Sequence, residues 1–281
     1  MTKLVLSLTT VPPRFGVVHE NLAGLLRQTA EIAEINLYVA RRYRRFEYDP
    51  ADLPKVPEGV NLRLIDDDLG PATKVLPAAR DYRGQDVQIL FADDDKVYDR
   101  GWAQRFVEAA KRHPGHAICE EGGWLDMPHY AADGWRSARE PQAQFRKKDW
   151  RYRLRRAASL GMWKPSKATT SGYVDILEGW GGALVRPEFF DDAAFDIPDV
   201  LWTVDDVWLS GCLERRGIPI WLNSEDKIRS KGSSSEVKDA ALRNLVYQGH
   251  DRIKANRACI RYFRETYGIW GGAQAAATAP E

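Results

Sequence analysis

A short apolar run that ends in three aspartates constrains the fold of this chain more than any other feature. Residues Ile89 to Ala92 are apolar and are followed at once by Asp93, Asp94 and Asp95. An apolar run of this length between polar residues predicts a buried strand. Open α/β sheets bind ligands at the carboxyl ends of their strands, so the three carboxylates predict a binding site at that edge.

The spacing of the three aspartates predicts which of them act together. Side chains two residues apart on a strand point the same way, so Asp93 and Asp95 can share one hard cation while Asp94 faces elsewhere. Three adjacent anions repel one another, and a Mg²⁺ or Mn²⁺ ion or a sugar-phosphate complex would relieve that repulsion. The alternative is a solvated acidic turn before the next helix, since acidic residues are common at helix starts.

Composition limits the protein class only loosely. The chain has 281 residues, 44% of them hydrophobic, which is enough for a full core. Its 41 basic and 40 acidic residues leave a net charge of +1, so no overall field recruits nucleic acid. The three cysteines form no CxxC pair, the N-terminal apolar stretch is too short for a signal peptide, and no apolar window of about 18 residues exists. We expect a cytoplasmic protein.

Strand and helix patterns alternate through the first half of the chain. Strands are predicted at 3–9, 35–40, 60–65, 89–92 and 117–120, and helices at 14–28, from 74 to about 82, and at 101–112. This order predicts an α/β fold with a mostly parallel, Rossmann-like central sheet. A second acidic triplet at 66–68 follows the third strand and would share the ligand edge.

The second half has less regular patterns. The segment 135–167 is rich in Arg, Lys, Trp and Tyr, which predicts either a surface for sugars, phosphates or anionic lipid, or a solvated loop. A glycine-rich turn at 178–182 leads into a strand. Asp205 and Asp206 are expected in the first turn of a helix, where Thr203 and Asp206 also fit a capping box. Residues 271–281 are expected to form a flexible tail.

Several motifs of other enzyme classes are absent from the sequence. It contains no GxxxxGK phosphate loop, no GxGxxG after the first strand, no GxSxG elbow and no HExxH zinc motif. These absences argue against P-loop, dinucleotide-binding, α/β-hydrolase and zinc-protease chemistry.

Four motifs in a fixed order make the chain resemble a known enzyme family. They are SLTTVPPR at 7–14, GPATK at 70–74, DDD at 93–95 and DDVWLSG at 205–211. The set resembles the GT-A fold glycosyltransferases, and more closely a bacterial group with SLTTxPxR, GPATK, DDD and DDVWxSG. It is also distantly similar to the β-1,3-galactosyltransferase and fringe-like enzymes, in which a glutamate stands at the position of Asp205. The basic segment 135–167 has no counterpart in these families.

The resemblance implies a site for a nucleotide-sugar donor. Asp95 would be the main ligand of Mn²⁺ or Mg²⁺, and Asp93 would assist it or hold the ribose. The cation would neutralise charge on the departing nucleoside diphosphate, and Lys74 and Arg14 would add positive charge near it, unless Lys74 is an ordinary exposed lysine. The donor-binding residues implied in this way are Thr9, Arg14, Lys74, Asp93, Asp94, Gly181 and Gly182.

The resemblance also implies an acceptor site and an inverting reaction. Asp206 is the candidate general base, with Asp205 beside it, and the helix N-terminus would lower the pKa of Asp206 and keep it ionised. Trp180 would stack on the acceptor, or else only pack in the core. The acceptor would be a glycan, a polysaccharide or a lipid-linked sugar. The basic and aromatic residues of the segment 146–167, and not the resemblance, predict peripheral contact with the inner face of a membrane.

Two other classes of protein stay open from the residues alone. A sugar nucleotidyltransferase would share the sheet, the metal and the substrate, but it would carry a glycine-rich basic signature that 9–14 lacks. A non-catalytic carbohydrate- or membrane-binding protein would not need two acidic sites. On the transferase hypothesis, residues 1–270 form one domain, with a nucleotide-binding half at 1–122 and an acceptor-side half at 123–270.

Overall fold

A computed structural model gives the fold of residues 2–130, 135–160, 162–163, 165–225, 231–232 and 245–271. The expected tail lies outside these ranges except for Gly271, and so do Gly161 and Lys164 of the basic segment. Within the same ranges, no helix has the length and apolar character needed to span a bilayer.

Strands and helices alternate through most of the chain. The strands are β1 (Lys3–Thr9), β2 (Glu34–Ala40), β3 (Asn61–Ile65), β4 (Val87–Ala92), β5 (Lys96–Val97), β6 (Ala117–Cys119), β7 (Gly122–Gly123), β8 (Gln144–Phe145), β9 (Ala168–Thr170), β10 (Gly172–Val174), β11 (Ile176–Leu177), β12 (Ala183–Val185), β13 (Ile220–Leu222) and β14 (Lys231–Gly232). The helices are α1 (His19–Leu25), α2 (Leu76–Asp81), α3 (Trp102–Arg112), α4 (Trp150–Ala158), α5 (Asp205–Arg215) and α6 (Arg252–Tyr267).

One eight-stranded sheet forms the centre of the fold, in the order β10-β13-β6-β12-β4-β1-β2-β3. β4, β1, β2 and β3 are parallel to one another, and β6 is parallel to β13. β12 lies antiparallel between β4 and β6, and β10 pairs antiparallel with β13. The predicted α/β class with a mostly parallel sheet is confirmed, and strands from both halves of the chain share this sheet.

Apolar strands fill a core on each face of the sheet. In β1, Leu4, Leu6 and Leu8 belong to one buried cluster and Val5 belongs to the other, because successive side chains of a strand point to opposite faces. Helices α1 and α3 cover the first cluster, and α2, α5 and α6 cover the second. Strands buried on both faces need continuous apolar sequence, which is why they could be predicted as apolar runs.

The helices differ from the prediction in three places. The helix expected at 14–28 is interrupted: Pro12–Arg14 form a 3₁₀ turn and α1 begins only at His19. Gly16 lies between them, and glycine costs about 1 kcal/mol in a helix interior relative to alanine. The basic segment, open between a binding surface and a loop, contains α4, and the sequence patterns predicted neither α4 nor α6.

Candidate functional site

The predicted ligand edge of the sheet carries a cavity of about 580 Å³. The carboxyl ends of β1 and β4 meet there, which places Thr9 and Thr10 beside the triplet Asp93–Asp95. β12 runs antiparallel to β4, so the turn Gly179–Gly181 that precedes it arrives at the same edge. Asp205 and Asp206 line this cavity from the start of α5, so both acidic motifs converge on it.

Basic and hydroxyl side chains that line the same edge bind the second and third aspartates of the triplet, Asp94 and Asp95. Asp94 accepts a hydrogen bond of 2.6 Å from Thr10 Oγ1 and forms an ion pair with Arg14. Arg14 Nη2 also lies 3.5 Å from Asp95 Oδ2, and Lys96 Nζ lies 2.8 Å from Asp95 Oδ1. Burial nevertheless raises the pKa of Asp94, since it outweighs the attraction of Arg14. The repulsion within the triplet is relieved by these basic residues and does not by itself require a metal ion.

Lys74 joins the two acidic motifs. Its Nζ lies 2.7 Å from Asp93 Oδ1 and 2.8 Å from Asp205 Oδ2, and only 6% of its side chain is exposed. Burial acts to lower the pKa of Lys74, but the two carboxylates outweigh it and hold that pKa well above its usual value. A Cβ on Gly179 would lie 2.6 Å from this ammonium, so the glycine leaves the room that Lys74 needs. Lys74 is therefore a buried ion-pair partner and not an exposed lysine.

Asp93 and Asp95 are the residues that fit a divalent cation. Their side chains are each 28% exposed, against 6% for Asp94, as expected for residues two apart that share one face. Asp95 Oδ1 is buried and accepts no hydrogen bond, although Lys96 forms an ion pair with it. Across the described residues, no group of three or more His, Cys, Asp or Glu is arranged around a metal position. Two carboxylates fit Mg²⁺ or Mn²⁺ if substrate phosphates complete the oxygen ligands.

Asp206 has a different environment from the triplet. Its Oδ1 accepts a hydrogen bond of 2.8 Å from the Gly179 N–H, and its Oδ2 lies 3.3 Å from Arg252 Nη2. Burial and the neighbouring charge of Asp205 raise the pKa of Asp206 to about 7, although Lys74 and Arg252 act to lower it. The prediction that this pKa is lowered is therefore wrong, because burial and a like charge outweigh the helix N-terminus.

The predicted capping box at the start of α5 is wrong as well. Val204 is the N-cap residue, and no side chain caps the helix there. Asp206, the residue expected to complete the box with Thr203, uses its carboxylate on Gly179 and Arg252 instead. A carboxylate bound to another segment of the chain does not cap its own helix.

A second cavity of about 450 Å³ adjoins the first. Trp180, Asp206 and Arg252 line both cavities and so lie at their junction. Trp180 is half-buried, and its indole N–H donates a hydrogen bond of 3.0 Å to Glu178 Oε2. Asp206, the predicted base, and Trp180, the predicted acceptor-stacking residue, therefore both lie where the two cavities meet.

Glu178 is the charged centre of the second cavity, a role that the sequence patterns did not indicate. Its Oε1 lies 2.8 Å from Lys167 Nζ and 3.7 Å from His129 Nε2. Burial acts to raise the pKa of Glu178, but His129 and Lys167 outweigh it and lower that pKa to about 2. Glu178 is therefore ionised at neutral pH and can accept hydrogen bonds from a ligand.

Two predicted donor-binding residues lie behind the cavity and not on its wall. Neither Gly181 nor Gly182 is among the described residues that line either cavity. The Gly181 carbonyl accepts a hydrogen bond of 2.9 Å from the Trp102 indole, and a Cβ on Gly182 would lie 2.3 Å from the Trp102 ring. Gly182 therefore lets the turn pack closely on Trp102. Thr9 does line the first cavity, and its Oγ1 donates to the Tyr38 carbonyl.

The second acidic triplet contributes one residue to the first cavity. Asp68 lines it, whereas Asp66 and Asp67 do not. Asp68 Oδ1 accepts the Gly70 N–H at 2.9 Å and Oδ2 accepts the Arg44 N–H at 2.8 Å. Burial still raises the pKa of Asp68. Its bonds hold the turn that begins the GPATK motif.

Several residues of the first cavity were missed by the sequence analysis. Tyr43, Arg45 and Phe46 reach it from the loop after β2, and Trp202 and Arg252 reach it from the second half. The sequence does hold a signal for Tyr43, Arg45 and Phe46, because they belong to a loop in which aromatic residues lie among arginines. Binding residues are common on such loops. Trp202 and Arg252 had no such signal.

Among known proteins, solved structures alone show similarity to this chain. No protein-family model matches the chain, and no curated protein matches it. Among solved structures, S. aureus TarS 1-349 in complex with UDP is similar with a TM-score of 0.42 and 14% identity, over 81% of this chain and 59% of that chain. Another structure of S. aureus TarS gives a TM-score of 0.44 and 15% identity, over 83% of this chain and 37% of that chain. The chain thus spans less than two thirds of the length of either.

Proposed function

We propose that this chain is a glycosyltransferase that moves a sugar from a nucleotide-sugar donor to a hydroxyl acceptor and inverts the anomeric configuration. The position of Asp206 carries this proposal, because it lines both the cavity of the aspartate triplet and the second cavity. Transfer between two substrates needs a space for each of them and a proton acceptor where they meet. The four motifs that resemble GT-A glycosyltransferases agree with this arrangement.

The first cavity would hold the nucleoside diphosphate part of the donor. Asp93 and Asp95 would hold a Mn²⁺ or Mg²⁺ ion, which when bound supplies positive charge for the leaving diphosphate. Arg14 and Lys96 line the same cavity and would add positive charge to it. The aromatic side chains that line this cavity and would contact a nucleobase are Tyr43, Phe46 and Trp202.

Lys74 would act as a positioning residue. Its ammonium forms ion pairs with Asp93 after β4 and with Asp205 on α5, so it fixes the aspartate triplet relative to this helix. Lys74 would then act on the donor phosphates indirectly, by fixing the positions of these two carboxylates.

Asp206 would take the proton of the acceptor hydroxyl. A pKa near 7 suits a general base at neutral pH, because the carboxylate is available and still basic enough to accept a proton. The Gly179 N–H and Arg252 would orient the carboxylate before the transfer. Attack by the hydroxyl on the face opposite the leaving diphosphate would give the inverted product.

The second cavity would hold the acceptor. Glu178 would accept hydrogen bonds from sugar hydroxyls, and Lys167 would donate hydrogen bonds to them. The ring of the half-buried Trp180 would stack on a sugar. This chemistry favours a glycan, a polysaccharide or a lipid-linked sugar as the acceptor.

Product analysis with a panel of nucleotide sugars and MnCl₂ tests the proposal. We expect release of nucleoside diphosphate that requires the metal and that Asp206→Asn strongly slows. Pyrophosphate release from a nucleoside triphosphate and a sugar phosphate would identify a nucleotidyltransferase instead. If no donor is turned over and no nucleotide raises the melting temperature, the proposal is wrong.

A further inference from the structure

Helix α4 lies on the surface and has few contacts with the rest of the protein. None of its residues is buried, and Tyr152 alone within it is half-buried, with its ring 5.4 Å from that of Trp163. Asp149 caps the helix by accepting the Tyr152 N–H at 2.9 Å. α4 connects β8 and β9, which pair with each other. Most of the surface of this helix is therefore exposed.

An apolar stripe runs along the exposed side of α4. Trp150 is 67% exposed and Leu154 is 61% exposed, and their spacing places them on one face. Leu160 and Met162, just past the helix, are 89% and 79% exposed. Four of the seven large apolar side chains that are exposed in the described part of the chain thus lie within this one segment. Exposed large apolar side chains concentrated in one short segment indicate an interaction site.

Basic side chains surround this stripe. Residues 146–163 contain seven basic residues and one acidic residue, a net charge of 7 − 1 = +6 in a chain whose total is +1. At about 100° per residue, Arg151 and Arg153 lie on opposite sides of the line through Trp150 and Leu154. The remaining basic residues are Arg146, Lys147, Lys148, Arg155 and Arg156.

We propose that the surface formed by residues 146–160, 162 and 163 docks on an anionic membrane, with α4 lying in the plane of the interface. The apolar stripe would enter the boundary between headgroups and acyl chains, and the arginines would pair with lipid phosphates. A nucleic acid would use the arginines but leave Leu154, Leu160 and Met162 exposed. A second copy of the chain would place two surfaces of charge +6 against each other. An anionic lipid surface satisfies both the charge and the apolar stripe.

The docking surface is tied to the second cavity. The Arg146 N–H donates a hydrogen bond of 2.8 Å to the Lys167 carbonyl, and the Lys167 side chain lines that cavity. Membrane docking does not depend on the chain being a transferase. Where the proposed function also holds, docking would favour an acceptor that is carried by a lipid.

Vesicle co-sedimentation of the full chain tests the docking. We expect binding to vesicles of phosphatidylcholine with phosphatidylglycerol, weaker binding at high salt, and no binding to phosphatidylcholine alone. Trp150→Ser with Leu154→Ser should weaken binding at least about tenfold, because two large side chains lose their apolar contact. Arg151→Gln with Arg155→Gln should also weaken it and reduce its salt dependence.

Matched variants elsewhere on the surface control for general effects. Leu26→Ser with Val246→Ser changes two exposed apolar residues, and Arg27→Gln with Lys111→Gln changes two exposed cations. Both pairs should bind vesicles as the unchanged chain does. Nucleoside diphosphate release with a soluble acceptor should be the same in all of these variants, so loss of docking and failure of the proposed function are distinguishable.

Three results would overturn the docking proposal. The first is equal vesicle binding by the unchanged chain and by Trp150→Ser with Leu154→Ser, or no vesicle binding at all. The second is tight binding of duplex DNA or tRNA that this apolar variant leaves unchanged. The third is a dimer in solution that the same variant dissociates, because the stripe would then be an interface between copies of the chain.

Discussion

Two aspartates of the first cavity, Asp93 in one acidic motif and Asp206 in the other, have pKa values that are shifted in opposite directions. Asp93 is half-buried, and this partial burial acts to raise its pKa, but its ion pair with Lys74 outweighs that effect and lowers the pKa. Asp206 is buried beside Asp205, and its pKa is raised to about 7. The same residue type in one cavity is thus suited to hold a cation at one position and to exchange a proton at the other.

The position of Lys74 explains this difference. Its ammonium contacts Asp93 and Asp205 directly, whereas it acts on Asp206 only by attraction over a longer distance. The hydrogen bonds of Asp206 come from Gly179 and Arg252. Neighbours brought from distant segments therefore set the state of each carboxylate, and residue type alone does not.

Removal of Lys74 should have the largest effect on this arrangement. Lys74→Met keeps much of the side-chain volume but leaves Asp93 and Asp205 without their ion-pair partner. Breaking a buried ion pair costs about 3–5 kcal/mol, and we expect a loss of this order in the free energy of unfolding, measured with urea. Lys111→Met, at an exposed position on α3, should change it by less than about 0.5 kcal/mol. A Lys74→Met protein as stable as the unchanged chain would contradict the role of Lys74.

Removal of one predicted metal ligand should act on binding and not on folding. We expect Asp95→Asn to abolish the Mn²⁺-dependent binding of nucleoside diphosphates, measured by calorimetry, with an unchanged melting temperature. Asp66→Asn with Asp67→Asn is the matched control, because these aspartates follow β3 but do not line the cavity. Equal metal-dependent binding in Asp95→Asn and the unchanged chain would show that Asp95 is not a ligand.

Stability should depend on pH through Asp206. The pKa of Asp206 in the folded protein is about 7, above the usual 3.8, so the stability that its protonated form provides is present below about pH 4 and is lost as the pH rises through 7. Asp206→Asn is neutral throughout and should remove this loss, which we expect to be about 1–3 kcal/mol. Urea unfolding of both proteins between pH 4 and pH 8 measures it, and parallel pH profiles would contradict the raised pKa.

The sheet could be predicted because its strands are local patterns. The apolar runs of β1, β2 and β4 are buried on both faces, and such runs are visible in the sequence without knowledge of distant partners. The meeting of Thr9 and Asp93 also followed, because the carboxyl ends of parallel strands share an edge. The place of Asp206 at the same cavity was implied only by the family resemblance, because Asp206 lies in the first turn of a helix and ends no strand. α4 could not be predicted as a helix from apolar periodicity, because its apolar residues do not face the core.

The electrostatics of the site could not be predicted, because they depend on long-range pairing. Lys74 and Asp205 are 131 positions apart, and the antiparallel insertion of β12 beside β4 brings Gly179 next to both Lys74 and Asp206. The prediction that the pKa of Asp206 is lowered rested only on the positive N-terminus of its own helix. Burial, which opposes that effect, becomes visible only in the folded chain, whereas the charge of the adjacent Asp205 is visible in the sequence.

A comparison of Asp206→Asn with Asp205→Asn tests the central claim most directly. Donor affinity and transfer rate are measured for each variant with the same nucleotide sugar and Mn²⁺. We expect Asp206→Asn to keep its donor affinity and to lose about a hundredfold or more in transfer rate, the usual share of a positioned base. Asp205→Asn should lose less in transfer rate, because Asp205 is paired with Lys74. Near-normal transfer by Asp206→Asn, or a larger loss in Asp205→Asn, would contradict the assignment of Asp206 as the base between the two cavities.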